Sequence, residues 1–265
     1  MATEWTLVTG ASSGIGEAFA KLAASRGRNL VISARNEAKL DQMAVELKEA
    51  HGVEIVVVGA DLAAPGEAAR LWSAATADGR MIDTLVNNAG LGRHGQFADD
   101  EGFGGWAREA ASIQVNVVAM TELMKLAIGH MKDVERGRIL NVASIAGFVA
   151  GPGMAVYHAT KAYVISLSKA VQAEIEGRDI TVTAVCPGVT KSNFHADAEM
   201  LSARVTRMSG PLPSSADVAE AGWNAAIRGE TVHIPGFLNR LTVLLAKFAP
   251  AALSTMISKY ALGKD

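Results

Sequence analysis

A single cysteine, Cys186, in 265 residues leaves no intrachain disulfide framework and fits a reducing, cytoplasmic setting. No basic run occurs anywhere, and the formal net charge is −2, so the clustered cations that neutralise nucleic-acid phosphates are missing. The first residues, Met1-Ala2-Thr3-Glu4-Trp5, lack the basic start and apolar stretch of a secretory signal. Uninterrupted apolar runs are short as well. The longest candidate, Leu241 to Ile257, is broken by Lys247 and Pro250, so no transmembrane span is expected. What the chain has in quantity is core-forming material: 49% of residues are hydrophobic and only 20% charged, enough for one large domain.

Short β-branched runs alternate with longer helical stretches, which signals βαβ units and a parallel sheet. Strands are predicted at Thr6–Thr9, Asn29–Ser33, Glu54–Val58, Thr84–Asn87, Arg138–Val142, Thr181–Val185 and Thr231–Ile234. Helices are predicted near 15–26, 37–50, 66–77, 107–131, 155–177, 216–228 and 238–260. Several strands read apolar without a break, as strands covered on both faces do. The expected fold is therefore α/β: a doubly wound, Rossmann-type parallel sheet of about seven strands, spanning residues 1–265 as a single domain. Two stretches break the alternation. Residues 91–105 are glycine-rich, and 190–214 form a long connection ending in Pro211 and Pro213. Loops this long tend to be lids or binding loops, and 190–214 is expected to shape a substrate pocket. The tail, 237–262, has apolar residues spread around its circumference and wants burial against the domain, a lid or a partner subunit.

The first strand runs into Thr9-Gly10-Ala11-Ser12-Ser13-Gly14-Ile15-Gly16 and then a helix. Glycines there let the backbone approach a pyrophosphate at a helix N-terminus, although a tight strand-to-helix corner would also use them. After the second strand the chain reads Ile32-Ser33-Ala34-Arg35, with a guanidinium where NAD sites usually place a carboxylate. Arg35 suits a 2′-phosphate and favours NADP(H) over NAD(H), the alternative being a solvated arginine opening the next helix. Tyr157 and Lys161 stand four apart on one helical face. An ammonium about 4 Å from a phenol, at an effective dielectric of about 20, favours the phenolate by up to about three pKa units. That would bring Tyr157 toward the range of general acid/base catalysis, though a plain surface pair has the same spacing. Ser144 follows the fifth strand, and Asn116 lies in an apolar helical run where it needs a partner. Ser166-Leu167-Ser168-Lys169 matches a hydrolase-like Ser-x-x-Lys pattern but lies mid-helix without companion motifs.

Taken together these residues resemble the short-chain dehydrogenase/reductase family over nearly the whole chain. The likeness runs through Thr9–Gly16, Asp61-Leu62, Asn87-Asn88-Ala89-Gly90, Asn116, Ser144, Tyr157 with Lys161, and Pro187-Gly188. It implies an NADP(H)-dependent oxidoreductase acting on a small carbonyl or secondary alcohol, with a non-catalytic NADP-binding sensor or scaffold as the alternative. Tyr157 would be the general acid/base, and Lys161 would hold the nicotinamide ribose and depress the tyrosine pKa. Ser144 would orient the substrate carbonyl, and Asn116 would help hold a water in a proton relay. Gly10, Ser12, Ser13, Gly14, Ile15, Gly16 and Arg35 would hold the phosphates, and Asp61 and Leu62 the adenine. Asn87, Ala89 and Gly90 would brace the cleft, while Pro187, Gly188 and Thr190 would meet the nicotinamide side. No metal is implied, and a homodimer or homotetramer is. Two departures stand out. Ser13 occupies a position often basic in NADP-binding members, and Ser192 one that is frequently Thr. The run His233-Ile234-Pro235-Gly236 is unlike the ketoacyl reductases of this fold and more similar to a bacterial subgroup with a hydrophobic C-terminal helix.

Overall fold

The computed structural model describes residues 4–98, 103–190, 212–249 and 251–262. Its centre is a seven-stranded sheet in the order β3-β2-β1-β4-β5-β6-β7. The strands are β1 (Trp5–Thr9), β2 (Asn29–Ala34), β3 (Ile55–Gly59), β4 (Ile82–Asn87), β5 (Arg136–Val142), β6 (Asp179–Val185) and β7 (Val232–His233), all parallel. Each predicted strand is present, the last shortened to two residues.

Alternation along the strands explains why both faces are covered. Leu7, Val31, Leu85 and Ile139 point into one core with Leu71, Trp72, Leu123 and Met131. Their neighbours Val8, Ile32, Val86 and Leu140 point into the other, with Phe19, Leu40, Leu47 and Trp223. The helices supplying the second layer are α1 (Gly14–Ser25), α2 (Glu37–His51) and α7 (Ser215–Ile227). Those supplying the first include α3 (Glu67–Thr76) and α5 (Met120–Asp133), which follows α4 (Phe103–Ile113). Their ends obey capping chemistry. Asn36 accepts from the Lys39 amide, Gly52 closes α2 at φ 66°, and Ser214 with Asp217 form a reciprocal capping box.

Two predicted helices differ in three details. Helix α4 starts at Phe103, four residues ahead of the predicted start, despite Gly104 and Gly105. Between α4 and α5 the helix widens into a π turn, Gln114–Ala119. The expected single tail helix is two, α8 (Phe237–Phe248) and α9 (Ala251–Leu262), because Ala249 precedes Pro250 and takes an extended conformation (φ −72°, ψ 140°). The run Gly105–Asp133 is long and apolar enough by composition to cross a bilayer. Its buried face, including Val115, Leu123 and Met131, packs into the first core. Most of the 190–214 connection lies outside the described residues, Ser192 with it.

Candidate active site

The strand order reverses at β1 and β4, and there the sheet opens a cavity of ≈ 900 Å³ at the C-terminal ends of the strands. Its near wall is the glycine turn. Gly10 has φ +65°, and a Cβ on Gly16 would collide with the Gly10 carbonyl, so only glycine lets helix and turn approach this closely. Ser13 is the N-cap of α1 yet its side chain makes no cap hydrogen bond. Its hydroxyl and the first-turn amides of Gly14 and Ile15 border the cavity, a setting that favours an anion. Ser12 lines the same wall, whereas Gly16 supports it from behind.

Two asparagines brace the junction. Asn88 Nδ2 donates to the Thr9 and Gly10 carbonyls at 3.0 and 3.2 Å, and Thr9 Oγ1 accepts from the Asn88 and Ala89 amides. Asn87, one residue earlier, points into the interior and donates to Asn141 Oδ1 at 3.0 Å and the Met120 carbonyl at 3.3 Å. It thus braces β4 from inside, while Asn88, Ala89 and Gly90 face the cavity. The signal for Asn88 was the polar residue directly after an apolar strand; its partner, 79 residues away, was not visible.

At the far end, beyond β2, Arg35 is exposed, and no partner satisfies it among the described residues. Asp61 and Leu62 line the cavity beside it. Sequence reasoning overlooked Glu37, which also lines this end; its carboxyl packs over Gly59 at the tip of β3. The pocket end therefore carries a cation and a carboxylate.

The other wall holds the acid/base candidates. Helix α6 (Ala155–Glu174) begins just before Tyr157 and brings Lys161 under its ring, Nζ lying 5.7 Å from the ring centre. Lys161 Nζ donates to the Val142 carbonyl at 2.8 Å. Ser144 caps the short turn Ile145–Phe148, accepting from the Ala146 amide at 3.1 Å, and also hydrogen-bonds Tyr157. Burial pushes Tyr157 up to about 12, opposed by the Ser144 hydrogen bond. Burial likewise lowers Lys161 to about 8, with the nearby Cys186 opposing it. The expected depression of the tyrosine by the lysine is thus absent from this structure. Desolvation outweighs a cation that sits beneath the ring and is committed to a carbonyl. Burial also raises Cys186, fully enclosed at the end of β6, to about 12, which makes it a packing residue and no nucleophile.

Asn116 lies in the π turn and does not line the cavity. Its Oδ1 accepts from the Leu91 amide at 2.9 Å; its Nδ2 donates to the Leu91 carbonyl at 2.8 Å and to Thr160 Oγ1 at 3.0 Å. Thr160 in turn donates to the Tyr157 carbonyl at 2.8 Å. The side chain clasps the loop after β4 to α6 through these bonds. Pro187, Gly188 and Thr190 close the cavity after β6. The tail closes the remaining side, through Thr242 and Val243 of α8 and Ser258 and Leu262 of α9. Among the described residues no cluster of His, Cys, Asp and Glu could hold a metal.

A doubly wound sheet with a glycine turn, orphan helix amides and a cavity across the switch point defines a dinucleotide-binding α/β protein. The family model for short chain dehydrogenases matches residues 4–200, and the chain belongs to that family. Nodulation protein G of Rhizobium sp. (strain N33) is 33% identical over 241 residues, covering 88% of this chain and 95% of that protein. A short-chain dehydrogenase from Sphingobium yanoikuyae in complex with NADPH superposes with a TM-score of 0.80 at 30% identity, covering 92% of this chain and 93% of that one. A short-chain dehydrogenase/reductase from Burkholderia phymatum in complex with NAD has the same TM-score, 0.80, at 26% identity, with 92% of both chains covered. The chain is accordingly an oxidoreductase of the nicotinamide-dependent kind, acting on a small molecule.

Proposed function

We propose that this protein is an NADP(H)-dependent reductase of a ketone or aldehyde, reversible as a secondary-alcohol dehydrogenase. The observation that carries this reading is the convergence of Ser144, Tyr157 and Lys161 on one wall of the cavity whose opposite wall is the glycine turn. When bound, the nicotinamide cofactor supplies or accepts the hydride. Tyr157, protonated because burial holds its pKa high, gives its proton to the carbonyl oxygen during reduction and takes it back in the reverse direction. The Ser144 hydroxyl holds that oxygen and steadies the phenol. Lys161 places a donor beside the phenol and would hold the ribose hydroxyls. Asn116 is a positioning residue, fixing α6 and the loop at Leu91.

The preference for NADP(H) rests on Arg35, an unengaged guanidinium at the adenine end, assisted by the uncommitted Ser13 hydroxyl. Glu37 pulls the other way, although its carboxyl lies over Gly59 and near Arg70. We further propose a cytoplasmic homo-oligomer that pairs through the face carrying exposed Trp106, Val118 and Tyr163. Light scattering that shows only monomer would remove that part.

The experiment is a turnover screen of varied ketones and aldehydes with NADPH and NADH in parallel. Oxidation of NADPH that disappears in Tyr157→Phe while NADPH still binds supports the reading. Binding without turnover across the panel would favour a sensor, and unchanged turnover in Tyr157→Phe would overturn the assignment of the proton donor.

A further inference from the structure

Helix α8 wears its apolar side outward. Its inner side is well seated: Val243 is buried, Asn239 donates to the Pro235 carbonyl at 2.8 Å, and the same side chain packs on Gly188. On the outer side Phe237, Leu238, Leu241, Leu244, Leu245 and Phe248 are exposed by 76, 75, 39, 52, 62 and 83%. At 3.6 residues per turn these positions fall within one arc of about 120°. A surface helix ordinarily turns that arc to the core, and here none of the described residues covers it.

The charges around it narrow the choice. From Thr231 to Leu262 the sequence holds no Asp or Glu, whereas Arg240, Lys247 and Lys259 are cations, in a chain whose net charge is −2. Arg240 and Lys247 are seven residues apart and so share one flank of the apolar arc. A second copy docking two-fold on this face would bring the same cations together, with no acid in the segment to meet them. An anionic lipid surface meets both features: acyl chains take the aromatic and leucine side chains, and headgroup phosphates take the flanking cations.

We propose that α8 is an interfacial helix that seats the protein on anionic lipid bilayers. The other side of α8 supplies Thr242 and Val243 to the cavity wall. The end of α9 closes the same wall, where His94 Nε2 donates to the Leu262 carbonyl at 2.7 Å. Docking through α8 therefore sets the cavity beside the lipid. The proposal does not depend on which carbonyl is reduced or on the cofactor.

Flotation of the full chain with vesicles tests it. The protein should float with phosphatidylcholine vesicles containing phosphatidylglycerol, float much less with phosphatidylcholine alone, and detach as salt rises. The double change R240Q/K247Q should weaken binding about fivefold per cation lost. L244S/F248S should abolish flotation with an unchanged or improved melting temperature. The emission that Phe248→Trp adds over the wild type, whose four tryptophans are subtracted, should shift to the blue on adding anionic vesicles, and that reading needs no disruptive change. A wild-type chain that ignores both vesicle types overturns the proposal. So does Phe248→Trp emission unmoved by vesicles. Indifference to vesicles together with an L244S/F248S variant that falls from dimer to monomer would assign the face to a second copy instead.

Discussion

Lys161 gives its ammonium hydrogen to the carbonyl of Val142 at 2.8 Å, the last residue of β5. That bond anchors the cation to the sheet beneath the Tyr157 ring and makes α6 and β5 one unit at the reacting end of the cavity. Among the described residues it is the one hydrogen bond that the geometry gives an otherwise enclosed ammonium, and burial lowers its pKa to about 8.

The first prediction follows from that value. Lys161 titrates near 8 when folded against 10.5 as its ordinary value, so between these limits the unfolded chain binds more protons. For this group stability therefore rises with pH through that window. Its unfavourable contribution is fully present below pH 8. Urea melts of the wild type and Lys161→Met from pH 7 to pH 10 should show the difference swinging toward the wild type by on the order of 2–3 kcal/mol. Tyr157 and Cys186, each raised to about 12, stay protonated in both folded proteins up to pH 10 and so drop out of the difference. A pH-independent difference would refute the assignment.

Replacing Ser144 with Ala removes the hydrogen bond that lowers the Tyr157 pKa and the cap on the Ala146 amide. Stability should fall by about 1 kcal/mol, as for other lost caps. Turnover should fall by roughly a hundredfold, with the alkaline limb of the kcat profile displaced upward. A loss of stability without any change in the pH profile would mean that Ser144 only caps the turn.

Asn116→Ala strands the Leu91 amide and carbonyl and one bond of Thr160. Two backbone groups losing partners should cost about 2 kcal/mol or more. Because Thr160 also holds the Tyr157 carbonyl, kcat should drop further than cofactor affinity does. Thermal melts and steady-state kinetics together check both halves.

At the adenine end, Arg35→Ser should weaken NADPH binding roughly ten- to hundredfold, the worth of a charge-assisted hydrogen bond, and leave NADH nearly unchanged. Glu37→Gln should move NADH more than NADPH. Titration by intrinsic fluorescence would read both. Equal losses for the two cofactors in Arg35→Ser would remove it as the discriminating group.

Local signals carried most of the architecture. The apolar runs of β2 and β3 and the glycine turn are short-range features, and all stand within a residue or so of where periodicity put them. So does the four-residue step from Tyr157 to Lys161, which is a property of any helix. What stayed hidden depends on distant partners. Asn88 and Asn87 look alike in sequence, yet Thr9 draws one to the cleft and Asn141 draws the other into the core. Glu37 reads as an ordinary first-turn acid until β3 delivers Gly59 beneath it. The balance at Tyr157 is equally non-local: how far burial offsets the Lys161 attraction depends on what encloses the phenol, and burial is the larger effect here. Pro250 was seen as an interruption, but its effect on the preceding residue decides that the tail is two helices.

The Asn88 brace across β1 and β4 has one more consequence. The glycine turn and the loop after β4 hang on strand ends tied to one another, and Lys161 ties α6 to the end of β5, whereas Thr242, Val243, Ser258 and Leu262 arrive on helices attached along one edge. The molecule behaves as a fixed jaw with an exchangeable cheek. Changes in the tail therefore reshape one side of the cavity without touching the braced strand ends.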